Sequence, residues 1–158
     1  MKADKWTLAK FILLPLAVGS LSAFFSRGAY QSFNRIIKPG ISPPGWVFPV
    51  VWTILYILMG IASYLVYISE GDPAEKKTAL KVYGLQLFVN FFWSIFFFRF
   101  EWYLFSFIWL VLLWILILIC IYLFDDLSKT ASWLMIPYLA WVTFAGYLNY
   151  SIYLLNKS

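Results

Sequence analysis

The sequence predicts an all-α membrane protein built as a bundle of five transmembrane helices. Of its 158 residues, 63% are hydrophobic and 12% are charged, whereas about 25% of the residues of a soluble domain are charged. The mean hydropathy is +0.82. The apolar residues are gathered into five segments, each close to the roughly 20 residues that a helix needs to cross a bilayer. We therefore expect a multi-pass integral membrane protein.

The first predicted span covers residues 6–25. A cleaved signal peptide is the alternative, because Lys2 and Lys5 precede the apolar run and small residues end it. The length of the run favours a membrane span. Gly19 and Ala23 form a small-xxx-small pair, a pattern that lets two helices approach closely in lipid.

A loop is predicted over residues 26–43, which is long for a connection in a helical bundle. Its apolar residues recur at roughly helical spacing. Two interpretations stay open: a lid over a cavity, or a helix lying at the membrane interface.

The second predicted span covers residues 44–69. It begins at the Pro43-Pro44 pair, since proline suits the first turn of a helix. Trp52 and Tyr56 are four residues apart and so lie on one helical face. We expect this face to form part of an aromatic ligand pocket.

Three further spans complete the bundle, and each is separated from the next by a polar segment. A mixed-charge loop is predicted over residues 70–77. The short turn before the fourth span makes the third and fourth spans antiparallel neighbours. The predicted spans are 78–98, 103–124 and 131–155.

The ionisable residues exclude several classes of protein. The chain has no histidine and one cysteine, so an intrachain disulfide cannot form and we expect neither a metal site nor a cofactor. No acidic residue lies deep in a span, which argues against an ion-coupled transporter. No basic run is long enough for a nucleic-acid partner.

Uncharged polar residues occur within the third span. Gln86, Asn90 and Ser94 recur every four residues and share one face, with Trp93 beside them. In lipid such groups turn inward to find partners, so interhelical hydrogen bonds are the favoured interpretation. A ligand contact by Asn90 or Trp93 is the alternative.

The fifth span carries a second aromatic face. Trp141, Ala145 and Leu148 follow helical spacing, and the Ala145-Gly146 pair leaves space beside the indole. A large ring beside small residues is typical of a site for a flat, apolar ligand. Close packing against another helix is the alternative.

Several ordered motifs carry a resemblance over nearly the whole chain. They are Lys38-Pro39, Pro43-Pro44, Trp46, Val51-Trp52, Leu55-Tyr56, Gln86-Leu87, Asn90, Trp93, Pro137-Tyr138-Leu139-Ala140-Trp141 and Leu148-Asn149-Tyr150. With five spans and this short length, the chain resembles the tryptophan-rich sensory protein / translocator protein family, also called peripheral-type benzodiazepine receptors.

The resemblance implies a five-helix bundle, a homodimer, contact with membrane lipid and a cavity that opens toward the first loop. It implies a bacterial cell membrane and a binding protein for porphyrin or tetrapyrrole-like ligands, a sensor or carrier in tetrapyrrole regulation. The porphyrin is then a ligand and not a cofactor. One alternative is a transporter of tetrapyrroles or other amphiphiles. Another is an enzyme that degrades protoporphyrin IX in light, with Trp52 and Trp141 as electron donors.

The resemblance also implies a set of ligand-binding residues. In this chain they are Trp52, Asn90, Trp93, Trp141, Ala145 and Leu148, to which helical spacing adds Tyr56. Two positions depart from the family pattern. Ile41 stands where relatives carry a tryptophan, and Leu154 stands where sterol-binding relatives carry a basic residue.

Overall fold

A computed structural model describes residues 2–157, without the side chains of residues 29, 30 and 32. Within this range there are helices and no strands, and five helices are long and apolar enough to cross a membrane. The predicted all-α, five-span, multi-pass architecture is confirmed. The elements are α1 (Lys5–Phe25), α2 (Ala29–Arg35), α3 (Val47–Ile68), α4 (Pro73–Ser94), a π-helical turn (Ile95–Arg99), α5 (Tyr103–Leu127) and α6 (Lys129–Asn156).

The start of α3 differs from the prediction. The helix begins at Val47, three residues after the predicted start at Pro44. The backbone N–H of Val47 donates to the Pro44 carbonyl over 3.0 Å, so the proline pair forms a turn that precedes the helix. Pro49 then occupies the third helical position, where a backbone N–H would have no intrahelical partner.

The polar connections between α3 and α4 and between α5 and α6, at the other end of the bundle from the start of α3, are shorter than predicted. α4 begins at Pro73, five residues before the predicted start at Thr78, with proline in its first turn and Asp72 as the N-cap residue. Ser128 ends α5 and also caps α6, where its side chain accepts a hydrogen bond from the N–H of Ala131. Glu75, Lys76 and Lys77 of the predicted loop are good helix formers, so α4 extends beyond its apolar segment.

α1 packs closely along α3. A Cβ atom added to Gly60 would lie 2.5 Å from the Cα of Ile12, so only glycine allows this approach of the two backbones. At the start of α1, the Asp4 carboxylate accepts hydrogen bonds from the side chain and backbone of Thr7, which hold the pKa of Asp4 below its usual value. The backbone N–H of Asp4 donates to the Tyr64 hydroxyl over 2.7 Å.

The predicted loop over residues 26–43 contains the short helix α2. One hydrogen bond lies within the segment, and two others fasten it to the end of α6. The Lys38 ammonium donates to the carbonyl of Phe33 over 3.0 Å. The backbone of Ile37 exchanges two hydrogen bonds with the side-chain amide of Asn156, of 3.1 and 2.8 Å, at the end of α6. The segment thereby closes over one end of the bundle.

Candidate ligand-binding site

A cavity of about 330 Å³ lies at the end of the bundle that this segment covers. Its walls come from the second half of α1, the first turns of α3 and the end of α4, and α2 contributes one ring. The lining residues are Leu16, Gly19, Ser20, Ser22, Ala23, Ser26, Arg27, Phe33, Phe48, Pro49, Trp52, Thr53, Tyr56, Asn90, Trp93, Ser94 and Phe98.

Aromatic rings form the inner wall of the cavity. The Trp52 ring stacks on Tyr56 with a centroid separation of 5.5 Å and lies 6.3 Å from the Trp93 ring. A Cβ atom added to Gly19 would lie 2.2 Å from the Tyr56 ring, so this glycine makes room for the tyrosine against α1. Offset and tilted ring pairs of this kind favour further stacking by a planar ligand.

Behind this wall runs a chain of buried hydrogen bonds. The Tyr56 hydroxyl donates to Asn90 Oδ1 over 2.9 Å, and Asn90 Nδ2 donates to the Tyr138 hydroxyl over 2.7 Å. The Tyr138 hydroxyl in turn donates to Gln86 Oε1 over 2.6 Å. The predicted interhelical hydrogen bonds of Gln86 and Asn90 are confirmed, and they join α3, α4 and α6.

A second polar cluster holds Trp93. Its indole Nε1–H donates to Asn149 Oδ1 over 3.0 Å, and the same oxygen accepts from the Ser106 hydroxyl over 3.1 Å. The Asn149 amide donates to the carbonyl of Tyr103 over 2.8 Å. Because all four groups are tied together, the Trp93 ring is fixed in its orientation toward the cavity.

The π-helical turn at the end of α4 also shapes the cavity. The backbone N–H of Phe100 donates to the carbonyl of Ile95, one residue further back than in an α-helix. Phe98, inside this turn, lines the cavity and lies 6.0 Å from the ring of Phe33 on α2. Such π turns often occur at functional sites.

The mouth of the cavity lies between α1 and α3. Its exposed lining residues include Ser20 and Ala23 of α1 and Thr53 of α3. Arg27 follows directly after α1, and its guanidinium lies 4.7 Å from the centroid of the Phe24 ring. The cavity is therefore apolar inside and carries a cation at its rim.

Four of the seven sequence-predicted ligand residues meet in this cavity: Trp52, Tyr56, Asn90 and Trp93. The other three, which are Trp141, Ala145 and Leu148, do not line it. Ala145 and Leu148 are buried with 5% and 4% exposure. Their roles in ligand binding stay predictions.

The ring of Phe48 separates Trp141 from the cavity. Trp141 is in contact with Phe48, at a centroid distance of 5.9 Å, and with Phe144, at 5.5 Å. It also lines an apolar groove of about 470 Å³ between α3 and α6. Of the two tryptophans expected as electron donors, Trp52 lines the cavity and Trp141 does not, because Phe48 lies between Trp141 and the cavity.

The contribution of α1 was missed from the sequence, although a signal existed. Gly19 and Ala23 stand out as a pair of small residues, and both line the cavity. Phe33, Phe48 and Arg27 carry no comparable signal in a chain this rich in aromatic residues. Ile41, where the family pattern has a tryptophan, is 61% exposed and lies outside the cavity lining.

The fold and this site define a class: a five-span helical membrane protein with an aromatic, ligand-sized cavity at one end of the bundle. Residues 11–155 match the TspO/MBR family, and the chain belongs to that family. The resemblance stated from the motifs is thereby confirmed.

Individual relatives cover almost the full length. The chain is 42% identical over 151 residues to "Tryptophan-rich protein TspO" of Chlorobaculum tepidum, an alignment that covers 95% of this chain and 96% of the relative. It is 34% identical to "Protein CrtK" of Rhodobacter capsulatus, over 94% of this chain and 91% of the relative. It is 32% identical to the "Translocator protein" of Bos taurus, over 98% of this chain and 94% of the relative.

Proposed function

We propose that the protein binds a flat, porphyrin-like ligand in this cavity and acts as a membrane sensor or carrier in tetrapyrrole regulation. The observation that carries the proposal is the aromatic inner wall of Trp52, Tyr56 and Trp93 combined with Arg27 at the mouth. A planar ring stacks on indole and phenol faces. A guanidinium makes charge-assisted hydrogen bonds to carboxylates. A porphyrin with carboxylate side chains presents both groups.

The size of the cavity suggests how such a ligand enters. Its volume of about 330 Å³ is near the lower end of the range of about 300–1,000 Å³ for small-molecule sites. A macrocycle enters edge first and leaves its carboxylate edge at the mouth, beside Arg27. The names of two relatives, the "Tryptophan-rich sensory protein" of Cereibacter sphaeroides and the "Translocator protein" of Bos taurus, fit sensing and carrying. We further propose that the protein works as a homodimer in contact with lipid.

A fluorescence titration tests this function. Purified protein in detergent micelles is titrated with protoporphyrin IX while tryptophan emission is recorded. We expect saturable quenching, with affinity about 2- to 10-fold weaker in Trp52→Leu, the value of one stacking pair. Trp133→Leu is the matched control, because that side chain is 72% exposed on α6. Quenching that never saturates refutes the proposal.

Light-dependent porphyrin degradation is the second candidate. The geometry that favours it is the grouping of oxidisable rings around Trp52, with Tyr56, Trp93 and Tyr138 all within 6.3 Å between centroids. Illumination of the complex while porphyrin absorbance is followed tests it. We expect loss faster than for free porphyrin, and slower loss in Trp52→Phe. A rate equal to that of free porphyrin rules out the enzyme.

A further inference from the structure

We propose that the paired hydroxyls of Ser26 and Ser94 form a subsite for one carboxylate of the ligand, which they hold together with the guanidinium of Arg27. The inference rests on the proposed function and deepens it, because it assigns the residues that make the cavity prefer an acidic ring system to its neutral counterpart. The two serines are then specificity-determining residues, in addition to joining α1 to α4.

Serine hydroxyls connect the end of α1 to α4 at two points. The Ser22 hydroxyl donates to the backbone carbonyl of Phe91 over 2.8 Å. The hydroxyl oxygens of Ser26, which follows α1, and Ser94, which ends α4, lie 3.2 Å apart. All three serines line the cavity. This junction therefore supplies hydroxyl groups to a cavity whose inner wall consists of aromatic rings.

The hydrogen bond between Ser26 and Ser94 leaves one O–H group without an acceptor. A serine hydroxyl has a single proton to donate, so when one serine donates to the other, the proton of the receiving hydroxyl is unused. The hydroxyls of Thr53 and Thr143 donate to the carbonyl four residues earlier on their helices. Neither serine of the pair has such a second partner among the described residues. Ser26 is 4% exposed, and a buried polar group without a partner is costly. An acceptor on a bound ligand would satisfy this O–H.

The charge beside the pair favours a carboxylate over a neutral acceptor. Arg27 follows Ser26 directly and lines the same cavity. The guanidinium of Arg99 reaches the same end of α1, where it donates to the carbonyl of Phe25 over 3.1 Å. Neither arginine forms an ion pair with a carboxylate of the described residues. A carboxylate can accept hydrogen bonds from a hydroxyl and a guanidinium at the same time. The ligand class that fits is a planar ring system with a carboxylate on its edge.

Protoporphyrin IX and its dimethyl ester separate the effect of the carboxylate from that of the ring. The two molecules share one macrocycle, and the ester keeps the carbonyl groups without the charge. Each is titrated into the full chain in micelles, with tryptophan quenching as the readout. The ratio of the two dissociation constants is compared between variants, so that partitioning into the micelle cancels. In the double variant Ser26→Ala/Ser94→Ala we expect the affinity for protoporphyrin IX to fall about 10-fold, the value of one hydrogen bond to a charged group. The affinity for the ester should fall about 2-fold, the low end for a neutral hydrogen bond.

Ser132→Ala is the matched control and should change neither affinity. Its hydroxyl also joins two helices, since it donates to the carbonyl of Ile121 over 3.1 Å, but it lies outside the cavity. Equal losses for the acid and the ester in the double variant, or no loss for either, overturn the inference and leave the proposed function intact. If neither ligand gives saturable quenching with the wild type, the proposed function itself fails.

The single variants Ser26→Ala and Ser94→Ala carry the same test if the double variant does not fold. Each keeps one hydroxyl and loses the hydrogen bond that polarises it. We expect the preference for the acid in each to lie between those of the wild type and the Ser26→Ala/Ser94→Ala variant. A preference equal to that of the wild type in both single variants overturns the inference.

Discussion

The Tyr138 hydroxyl makes two buried hydrogen bonds behind the cavity, and its removal tests whether they join the helices. The side chain is fully buried. The hydroxyl accepts from Asn90 Nδ2 over 2.7 Å and donates to Gln86 Oε1 over 2.6 Å. The substitution Tyr138→Phe keeps the ring and its packing. It leaves one donor and one acceptor without their partner.

Two physical effects set the size of the loss. A buried polar group left without a partner costs about 1–3 kcal/mol in a protein interior. Interhelical hydrogen bonds in membranes are worth about 0.6 kcal/mol on average and about 1.7 at most, because the unfolded chain in the membrane also finds partners. Two bonds are lost here at a site with no exposure, so we expect Tyr138→Phe to lower the free energy of unfolding by about 1–3 kcal/mol.

Unfolding of the purified protein in mixed micelles, followed by circular dichroism, measures this difference. Tyr122→Phe is the matched control, since it removes the same hydroxyl from a side chain that is 72% exposed. We expect its free energy of unfolding to equal that of the wild type. If Tyr138→Phe is no less stable than Tyr122→Phe, the chain of hydrogen bonds does not join the helices as described.

Three further substitutions test other contacts. Gly60→Ala places a methyl group against the backbone of α1 and should lower the free energy of unfolding, measured by thermal unfolding, by about 1–3 kcal/mol. Gly84→Ala, where nothing lies within 4 Å of the added methyl group, is the control and should be neutral or slightly stabilising. Equal effects of the two substitutions would contradict the close approach of α1 and α3. Hydrogen bonds lower the pKa of Asp4 below 3.8, so its carboxylate stabilises the fold above that pH. The difference in melting temperature between wild type and Asp4→Ala should therefore shrink as the pH falls below 3.8 through the folded pKa. A constant difference argues against the capping role. Asn156→Ala removes both hydrogen bonds to Ile37 and should speed limited proteolysis of the segment 26–43. Asn156→Asp should give an intermediate rate, because it keeps the acceptor oxygen. An unchanged cleavage rate would show that these hydrogen bonds do not hold the segment.

The number and order of the helices could be predicted because each apolar segment has the length that a bilayer requires. The helix ends could not be predicted equally well. The polar stretch 73–77 looks like a loop by hydropathy, yet it is helical from Pro73 onward. Hydropathy reports where lipid ends, whereas the backbone continues its hydrogen bonds into the interface, where charged residues favour a helix.

Part of the site followed from helical spacing and part did not. The spacing of Gln86 and Asn90 predicts one inward face, and the structure confirms their hydrogen bonds across helices. The same argument correctly puts Trp141 and Ala145 on one face of α6. It contains no information on which side chain of a neighbouring helix that face meets, and here it meets Phe48.

The distribution of hydrogen bonds explains what kind of ligand the cavity can select. Tyr56, Asn90 and Trp93 line the inner wall, yet each already donates a hydrogen bond within the protein: Tyr56 to Asn90, Asn90 to Tyr138 and Trp93 to Asn149. Near the mouth, the Thr53 hydroxyl donates to the carbonyl of Pro49. The interior therefore offers rings and little hydrogen bonding, while the charge of Arg27 stands at the rim. Such a site selects ligands by their shape and planarity inside the cavity and by their charge at its entrance. Ligands that carry polar groups at both ends would leave one of those ends unsatisfied against the aromatic wall, which favours planar molecules with one polar edge.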